Sequence, residues 1–469
     1  MVYVSPKRMR GQALVMFLGF AAAMIGVMLI AFNSGQVTNA KMRAMNAADA
    51  AAYSGALWQA RSLNFQAYMN RAIVVNEVTI AQSVSLRSWV DYLHRLTTNL
   101  SMVTKWIPWV NTATTAIDKA VEAVDKTVSG ILPGIEMGTR FISWSQHAVL
   151  QNGFHVGGAV GAIDIAYDVA KKNGAKVTLG GDALMAKNTV AWFAFTDTYT
   201  SAHRAGTSGD GRKRLRQVTL DSRDGFTENR KHEISFLKLI EFRKQGGTDL
   251  VGFDAWKGMD SSGLCTSSLI KSTVCVPMGW GGAQAYNPRV VYGLGKHGDG
   301  VWDNVKKRPD GTMAAAEANS KSQAIRLPQK FPDYRDLKDL NTSRSERQKI
   351  SFAVEVMIAD KNVPTANSAF NAKAALTDGT SIEHDPQYGP ADAGVYGVSE
   401  ACVYFERPHG AARTDNRFKH KPSNELPSLF NPYWHASLAT PSADTRKIVG
   451  AFKKLVPVDA FFGGTGSCA

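Results

Sequence analysis

The pattern of hydrophobic and polar positions is most distinctive at the start of the chain. Residues 12–32 contain no charged side chain, and Lys7, Arg8 and Arg10 come just before them. An uncharged apolar run of about 20 residues is long enough to cross the hydrocarbon core of a bilayer as a helix. Positive charge in front of such a span keeps the N-terminus in the cytoplasm. We therefore predict a signal anchor, with everything after Asn33 on the far side of the membrane.

A cleaved secretory signal is the alternative interpretation of the same run. Such a signal has a shorter apolar region and ends in a small-x-small cleavage site. Here the run is longer and continues into the sequence Asn-Ser-Gly-Gln at residues 33–36. Retention as a membrane anchor is therefore favoured.

The next stretch predicts a long helical stalk. Residues 36–106 contain no proline and a single glycine, Gly55, and they are rich in good helix formers. The membrane helix is expected to continue far beyond the bilayer, with a break around Asn33–Gly35.

Small side chains dominate one part of this stalk and predict a helix-interaction face. A smooth helix surface allows a second helix to approach closely, and packing within the chain's own domain is the alternative. The candidate face consists of Asn46, Ala48, Asp49, Ala52 and Gly55.

Three further helical patterns follow the stalk. Apolar residues recur at helical spacing over Thr112–Ile131, and Pro133–Gly134 is expected to end that helix. Ile135–Lys172 and Asp182–Arg204 predict two more helices, the first interrupted near Gly157–Gly158. The chain up to about residue 205 is therefore expected to be mostly helical.

The residue composition changes after residue 206, where glycine and proline become frequent. β-branched and aromatic residues predict strands over Ile350–Ile358 and Gly394–Phe405, with a weaker strand over Ala285–Leu294. A final helix is expected over Ala443–Leu455. Residues 298–339 and 360–392 are polar, show little periodicity and predict loops.

These patterns together predict an α+β protein in three segments. Residues 1–35 form a basic leader and a single N-terminal transmembrane helix, which continues into a mostly helical region over residues 36–205. Residues 206–469 are expected to form a loop-rich, mixed α/β exported body.

Charge and cysteine content refine this picture. The 469-residue chain has a formal net charge of +14, which fits anionic lipid headgroups, cell-wall polymer or an acidic partner, or serves solubility alone. Export argues against nucleic acid as the partner. An oxidising compartment permits a disulfide between Cys265 and Cys275, and Cys402 with Cys468 could form a second. Four free thiols remain the alternative, since connectivity cannot be read from a sequence.

Two short motifs at the start of the chain resemble those of a known family. Residues 10–15 read Arg-Gly-Gln-Ala-Leu-Val and are followed by Phe17, and residues 45–52 read Met-Asn-Ala-Ala-Asp-Ala-Ala-Ala. At this spacing they resemble the N-terminal region of the TadE/TadG-like proteins of Flp (Tad) pilus assembly, over residues 7–61. The resemblance implies a bacterial inner-membrane protein with one N-terminal span and a periplasmic body.

The resemblance also implies a candidate processing site. In TadE-like pseudopilins a prepilin peptidase cuts after the glycine that ends the basic leader, which here is the bond between Gly11 and Gln12. Those proteins carry a glutamate a few residues into the span, and Met16 occupies that position here. Because a charge inside the membrane needs a partner, that glutamate serves to neutralise a neighbour's new N-terminal amine. We therefore expect a poor repeating filament subunit, and an uncleaved anchor or an end subunit instead.

The sequence offers no catalytic or cofactor-binding constellation. No HExxH, GxSxG, P-loop or GxGxxG string occurs in a useful context. Long TadG-like proteins can carry an Asp-x-Ser-x-Ser metal site, but the nearest string, at residues 260–264, lacks the second serine. No catalytic residue, cofactor, metal or small-molecule ligand is therefore expected.

The resulting hypothesis is a non-catalytic, membrane-anchored component of Flp/Tad-type pilus assembly, acting as an anchor, a pseudopilin-like subunit or an end cap. Its expected partners are the lipid bilayer and other pilus-assembly or pilin-like membrane proteins. The alternative is a membrane-tethered envelope enzyme or adhesin that acts on the cell wall or a host surface.

Overall fold

A computed structural model gives the fold of most of the chain. The described residues are 12–199, 211–228, 230–236, 239–251, 255–266, 275–286, 314, 318, 331–338, 348–359, 363, 394–406 and 427–453. The helices are α1 Gln12–Val103, α2 Pro108–Ser145, α3 Asn152–Lys172, α4 Leu179–Phe195, α5 Gly211–Asp221 and α6 Ala443–Lys453. The strands are β1 Lys176–Val177, β2 Thr196–Tyr199, β3 Arg230–Phe236, β4 Ile240–Val251, β5 Ala255–Thr266, β6 Cys275–Tyr286, β7 Tyr334–Leu337, β8 Ile350–Ala359, β9 Gly394–Phe405 and β10 Trp434–Ala439.

Helix α1 is the axis of the molecule. It contains 92 residues and is therefore about 140 Å long at a rise of about 1.5 Å per residue. The break predicted around Asn33–Gly35 was wrong, since α1 is continuous through it. One glycine costs a helix only about 1 kcal/mol, and the good helix formers on both sides outweigh that cost.

Helices α2 and α3 run back along α1 as the second arm of a helical hairpin. A short 3-10 turn, Thr104–Trp106, joins α1 to α2, and a turn of π-helix, Gln146–Gln151, joins α2 to α3. The break predicted at Pro133 was wrong, since α2 passes through it. Leu132 and Glu136 beside the proline are buried, so packing offsets its missing hydrogen bond. The interruption predicted near Gly157–Gly158 was also wrong, because both glycines lie inside α3.

The helix predicted over Asp182–Arg204 is confirmed only in its first part. Helix α4 ends at Phe195, and the next four residues form β2, which pairs antiparallel with β7. Because β2 is rich in threonine and tyrosine, it fits a strand better than a helix. Residues 200–204 lie outside the described part of the chain.

The first sheet has the order β1-β8-β9-β10, with antiparallel neighbours throughout. Its central strands confirm the predictions over Ile350–Ile358 and Gly394–Phe405. Helix α6 confirms most of the predicted final helix.

A second sheet, of order β3-β4-β5-β6, extends over residues 230–286 and was not predicted. Only the first two residues of the strand predicted over Ala285–Leu294 belong to β6, and residues 287–294 lie outside the described part of the chain. The described residues therefore form a mixed helix and sheet structure, and they do not confirm the prediction of a loop-rich body.

Both sheets pack against α1, which places the core along the helix. Near the membrane end, Ala48 and its neighbours share a cluster with Phe352 and Val403. Farther along, Ile80 shares a second cluster with Trp256. Strands β1 and β2 precede residue 205 but pair with β8 and β7, which follow it. The predicted segments 36–205 and 206–469 therefore share the first sheet, the β2–β7 strand pair and the core along α1, whereas the second sheet lies wholly within the later segment.

Candidate functional site

The apolar run at the start of α1 is exposed along its whole length. Leu14, Phe17 and Ile25, like most large side chains up to Phe32, face outward and are exposed. The described residues contain one helix long and apolar enough to cross a membrane, and this run is its most apolar part. The run therefore indicates membrane anchoring.

The candidate processing site lies at the edge of the described structure. Gly11 is outside the described residues, and Gln12 is the first residue of α1. Met16, which replaces the pseudopilin glutamate, is exposed on the apolar surface of α1. Cleavage between Gly11 and Gln12 therefore stays a prediction.

The predicted helix-interaction face is divided between the inside and the outside of the protein. Ala48, Ala52 and Gly55 are buried, whereas Asn46 is exposed and Asp49 is half-buried. The division follows from helical geometry, because residues 48, 52 and 55 lie on one side of the helix and residues 46 and 49 on another. Only the second side is open to a partner.

The buried side of this face contacts the chain's own sheet and α3. A Cβ added at Gly55 would lie 2.3 Å from the ring of Phe352 on β8, and one added at Gly397 on β9 would lie 2.3 Å from the carbonyl oxygen of Ala44. The buried alanines of α3 in the same cluster are Ala159, Ala162, Ala166 and Ala170. The prediction that Ala48, Ala52 and Gly55 meet a partner is therefore corrected: small residues admit a close neighbour, and here the same chain supplies it.

Polar side chains on the middle of α1 hold the C-terminal part of the body. Asn64 donates to the carbonyl oxygen of Trp434 and accepts from its backbone N–H, both at 2.9 Å. Asn70 donates to the carbonyl oxygen of Leu429, and Arg71 donates to that of Phe430 at 2.6 Å. These bonds fix the segment before β10 against the membrane-anchored helix.

The cysteines link neighbouring strands of the body. Cys265 at the end of β5 and Cys275 at the start of β6 lie opposite each other in the ladder and are joined by a disulfide. Cys402 on β9 is also disulfide-bonded, and its predicted partner, Cys468, lies outside the described residues. Disulfides of this kind persist in an oxidising compartment.

A buried ionisable cluster lies where α1, α2 and the second sheet meet. Glu77 on α1 accepts hydrogen bonds from the indole of Trp256, at 2.9 Å, and from the hydroxyl of Tyr286. The guanidinium of Arg140 on α2 lies 4.0 Å from the centre of the Tyr286 ring. Burial raises the pKa of Glu77 to about 7, although the two hydrogen bonds and Arg140 act to lower it. Burial likewise raises the pKa of Glu136 to about 7 against the charges of Arg140 and another arginine.

A cavity of about 510 Å³ opens beside this cluster. Its described lining consists of Arg140, Phe141, Ser143, Trp144, His147, Ala148, Asn152, Tyr286, Pro332 and Asp333. Within the described structure, Nε and Nη2 of Arg140 have no hydrogen-bond acceptor. Burial brings the pKa values of Glu77 and Glu136 to about 7, and the cluster joins three elements, so its main consequence is for the pH dependence of stability.

Sequence reasoning did not identify this cluster. Glu77 and Tyr286 are 209 positions apart, and nothing in the spacing of either predicts the contact. The one available signal was a single carboxylate, Glu77, between Ile73 and Ile80 on the same side of α1. In the part of the chain that the structure describes, no group of three or more His, Cys, Asp or Glu could hold a metal ion.

The fold and the exposed apolar run define a protein anchored by one long helix that also forms the centre of its folded body. A comparison with protein families finds a match for the start of this helix. The Tad family, described as Flp pilus-assembly TadE/G-like, matches residues 11–60. The predicted resemblance is thus confirmed over this segment, and the match indicates a role in Flp pilus assembly. No curated protein and no solved structure matches the chain.

Proposed function

We propose that the chain is a non-catalytic component of Flp/Tad pilus assembly that acts as an anchor or end cap in the bacterial inner membrane, with its N-terminus in the cytoplasm and its body in the periplasm. One observation carries this proposal: α1 continues unbroken from the apolar run into the centre of the body. The first buried core residue, Ala40, lies eight positions after Phe32, or about 12 Å along the helix. The body therefore lies directly above the membrane surface.

The surface offered to a pilus partner is the outward side of α1 within the family-matched segment. Met42, Asn46 and Tyr53 are exposed there, and Asp49 is half-buried between them. Their spacing of three, four or seven residues places them on one stripe of the helix. Ala47, Ala48, Ala51 and Ala52 of the same motif pack inward, whereas Asn46 and Asp49 are polar members that a partner helix can contact. We call these four residues the outward stripe.

A single contact along this stripe fits an anchor better than a repeating subunit. Without a glutamate at Met16, a neighbour's N-terminal amine would have no counter-charge inside the bilayer. The helices and sheets of the body also cover much of α1 beyond Ala40. A repeating filament needs two complementary helix faces on every copy, whereas an anchor or end cap needs one.

Pilus formation in cells tests this proposal. Asp49→Ala and Tyr53→Ala should reduce pilus number and the recovery of pilus-assembly proteins with the chain, at unchanged protein level. Asp164→Ala is the matched control, because Asp164 is an exposed aspartate on α3 outside the family-matched segment. Normal pili from both stripe variants would refute the stripe as the contact. Normal pili after deletion of the gene would refute the role itself.

Membrane orientation is tested separately with a reporter. A phosphatase that is active only after export, fused after Ala469, should be active, because Lys7, Arg8 and Arg10 keep the leader in the cytoplasm. A fused reporter that is active only in the cytoplasm should be silent. The opposite pair of results would overturn the proposed orientation.

A further inference from the structure

The turn between α1 and α2 exposes large apolar side chains at the end of the hairpin farthest from the membrane anchor. We call residues 100–109 the hairpin tip. The exposed fractions of its most open side chains are Trp106 91%, Trp109 79%, Val103 74% and Met102 54%. Scattered exposed apolar residues are ordinary, but contiguous ones of this size mark an interaction surface.

The hairpin tip is almost free of charge, and the charge it has is positive. Between residues 96 and 117 the only charged side chain is Lys105, and the first acidic residue after it is Asp118. Tryptophan is enriched at membrane–water interfaces, where its ring lies at the level of the headgroups. A lysine beside it keeps its ammonium in water and is attracted to anionic headgroups. The composition of the tip therefore fits a lipid surface.

The hairpin tip is held in a defined position by polar contacts just behind it. The hydroxyls of Thr97 and Thr98 on α1 both donate to Asp118 on α2, at 2.8 and 2.9 Å. The amide of Asn99 donates to the carbonyl oxygen of Met278 on β6 at 2.8 Å. The second sheet thus supports α1 to within two turns of Trp106. The tip is therefore presented to its surroundings by a supported hairpin.

The length of α1 decides which lipid surface the hairpin tip can reach. From Phe32 at the end of the apolar run to Val103 there are 71 residues of continuous helix, or about 105 Å. The tip therefore cannot return to the bilayer that holds the start of α1. Any bilayer that it contacts is a second one.

We propose that the hairpin tip inserts Trp106 and Trp109 into the headgroup region of a second, anionic bilayer, so that the chain bridges two membranes. This inference depends on the membrane anchoring of α1 and not on a pilus partner. A protein docked on the tip is the competing occupant, and the lone positive charge of Lys105 beside two tryptophans favours an anionic lipid surface over it.

A vesicle-bridging experiment tests the proposal on the full chain. The chain is reconstituted into fluorescent vesicles, which are separated from unincorporated protein and mixed with protein-free vesicles of phosphatidylcholine and phosphatidylglycerol that carry a second dye. Joint particles are counted by two-colour fluorescence correlation. The wild-type chain should join the two vesicle populations, and less so at high salt, because screening weakens the attraction of Lys105.

Two double variants separate the hairpin tip from other exposed aromatics. Trp106→Ser with Trp109→Ser should lower bridging by about tenfold or more, since each indole supplies a large buried area at the interface. Phe141→Ser with Trp144→Ser is the matched control, because both side chains are exposed on α2 away from the tip, and it should bridge like the wild type. Far-ultraviolet circular dichroism checks that both variants keep their helices.

Three outcomes would overturn the proposal. The wild-type chain could fail to bridge, the tip variant could bridge as well as the control, or the control could lose bridging equally. Loss of a co-purifying protein from the tip variant, with bridging unchanged, would assign the hairpin tip to a protein partner instead.

Discussion

The contact of α1 with β6 at Gly281 offers the sharpest test of the packing around the central helix. A Cβ added at Gly281 would lie 2.3 Å from the carbonyl oxygen of Ser88 and 2.3 Å from the backbone nitrogen of Tyr92. Both atoms belong to the backbone of α1, so neither can rotate out of the way. Because nonbonded contacts are normally about 3.5 Å or longer, Gly281→Ala must move α1 and β6 apart by about 1 Å.

The cost of this movement can be bounded. An extra methyl group forced into a well-packed core costs about 1–3 kcal/mol in the free energy of unfolding. The shift also disturbs the bond from Ser88 Oγ to Asp260, which is 3.0 Å long and buried. Alanine recovers about 0.5–1 kcal/mol relative to glycine through chain entropy. We therefore expect a net loss of about 1–2 kcal/mol.

Gly138→Ala provides the control, because it is the same chemical change in an open position. Gly138 lies inside α2, and an added Cβ would meet nothing within 4 Å. This variant should gain about 0.5–1 kcal/mol, since alanine favours a helix interior over glycine. Urea unfolding of the full chain in detergent micelles, followed by circular dichroism, measures both changes. If Gly281→Ala unfolds at the same urea concentration as Gly138→Ala, or a higher one, α1 does not lie against β6 as described.

Three further predictions concern the cluster, the disulfide and the divided face. Burial raises the folded-state pKa of Glu77 to about 7 from an ordinary 4.5, so the contribution of this carboxyl to stability falls as pH rises between these values. The stability of Glu77→Gln relative to the wild type should therefore increase from pH 5 to pH 8, by about 3 kcal/mol at most. Equal stability differences at the two pH values in urea unfolding would refute this. Alkylation of the unreduced protein and peptide mapping should find no free thiol at Cys265 or Cys275, and a labelled thiol at either position would exclude the disulfide. Replacing both cysteines by serine should lower the free energy of unfolding by about 2–3 kcal/mol. Ala48→Leu should cost about 1–3 kcal/mol in the same unfolding assay, because Ala48 has no exposed surface. Asp49→Ala should change stability by about 0.5 kcal/mol or less. A larger loss of stability from Asp49→Ala than from Ala48→Leu would mean that the alanine side is open.

The membrane helix and the central strands of the first sheet could be predicted because local patterns determine them. An uncharged run predicts a span, and the β-branched residues of Ile350–Ile358 predict a buried strand. The second sheet could not be predicted in this way, because β5 and β6 together contain five glycines, an aspartate and a proline, which are residue types of low strand propensity. Three of these glycines lie where α1 crosses the sheet: an added Cβ would meet Val84 at Gly258, Leu96 at Gly279 and Ser88 at Gly281.

The candidate site could be predicted from the sequence only in part. Helical spacing alone separates Ala48 and Ala52 from Asn46 and Asp49, so an inner and an outer side could be assigned from periodicity. The sequence does not reveal that the neighbour on the inner side comes from the same chain, because Phe352 is about 300 positions away. The buried contact between Glu77 and the second sheet is hidden for the same reason.

Helix α1 and the body stabilise each other, and this mutual packing has a mechanical consequence. Most of the stability of a helix in a folded protein comes from tertiary packing of its apolar face, and α1 obtains that packing from both sheets and from α2 and α3. The sheets in turn meet along α1, which supplies core residues to both of their clusters. A tilt or rotation of the membrane segment is therefore transmitted through one continuous helix to every packed element, and the displacement grows with distance along about 105 Å. If a pilus partner tilts the outward stripe by a few degrees, the hairpin tip moves by several ångströms, so an event at the membrane anchor can change what the tip contacts.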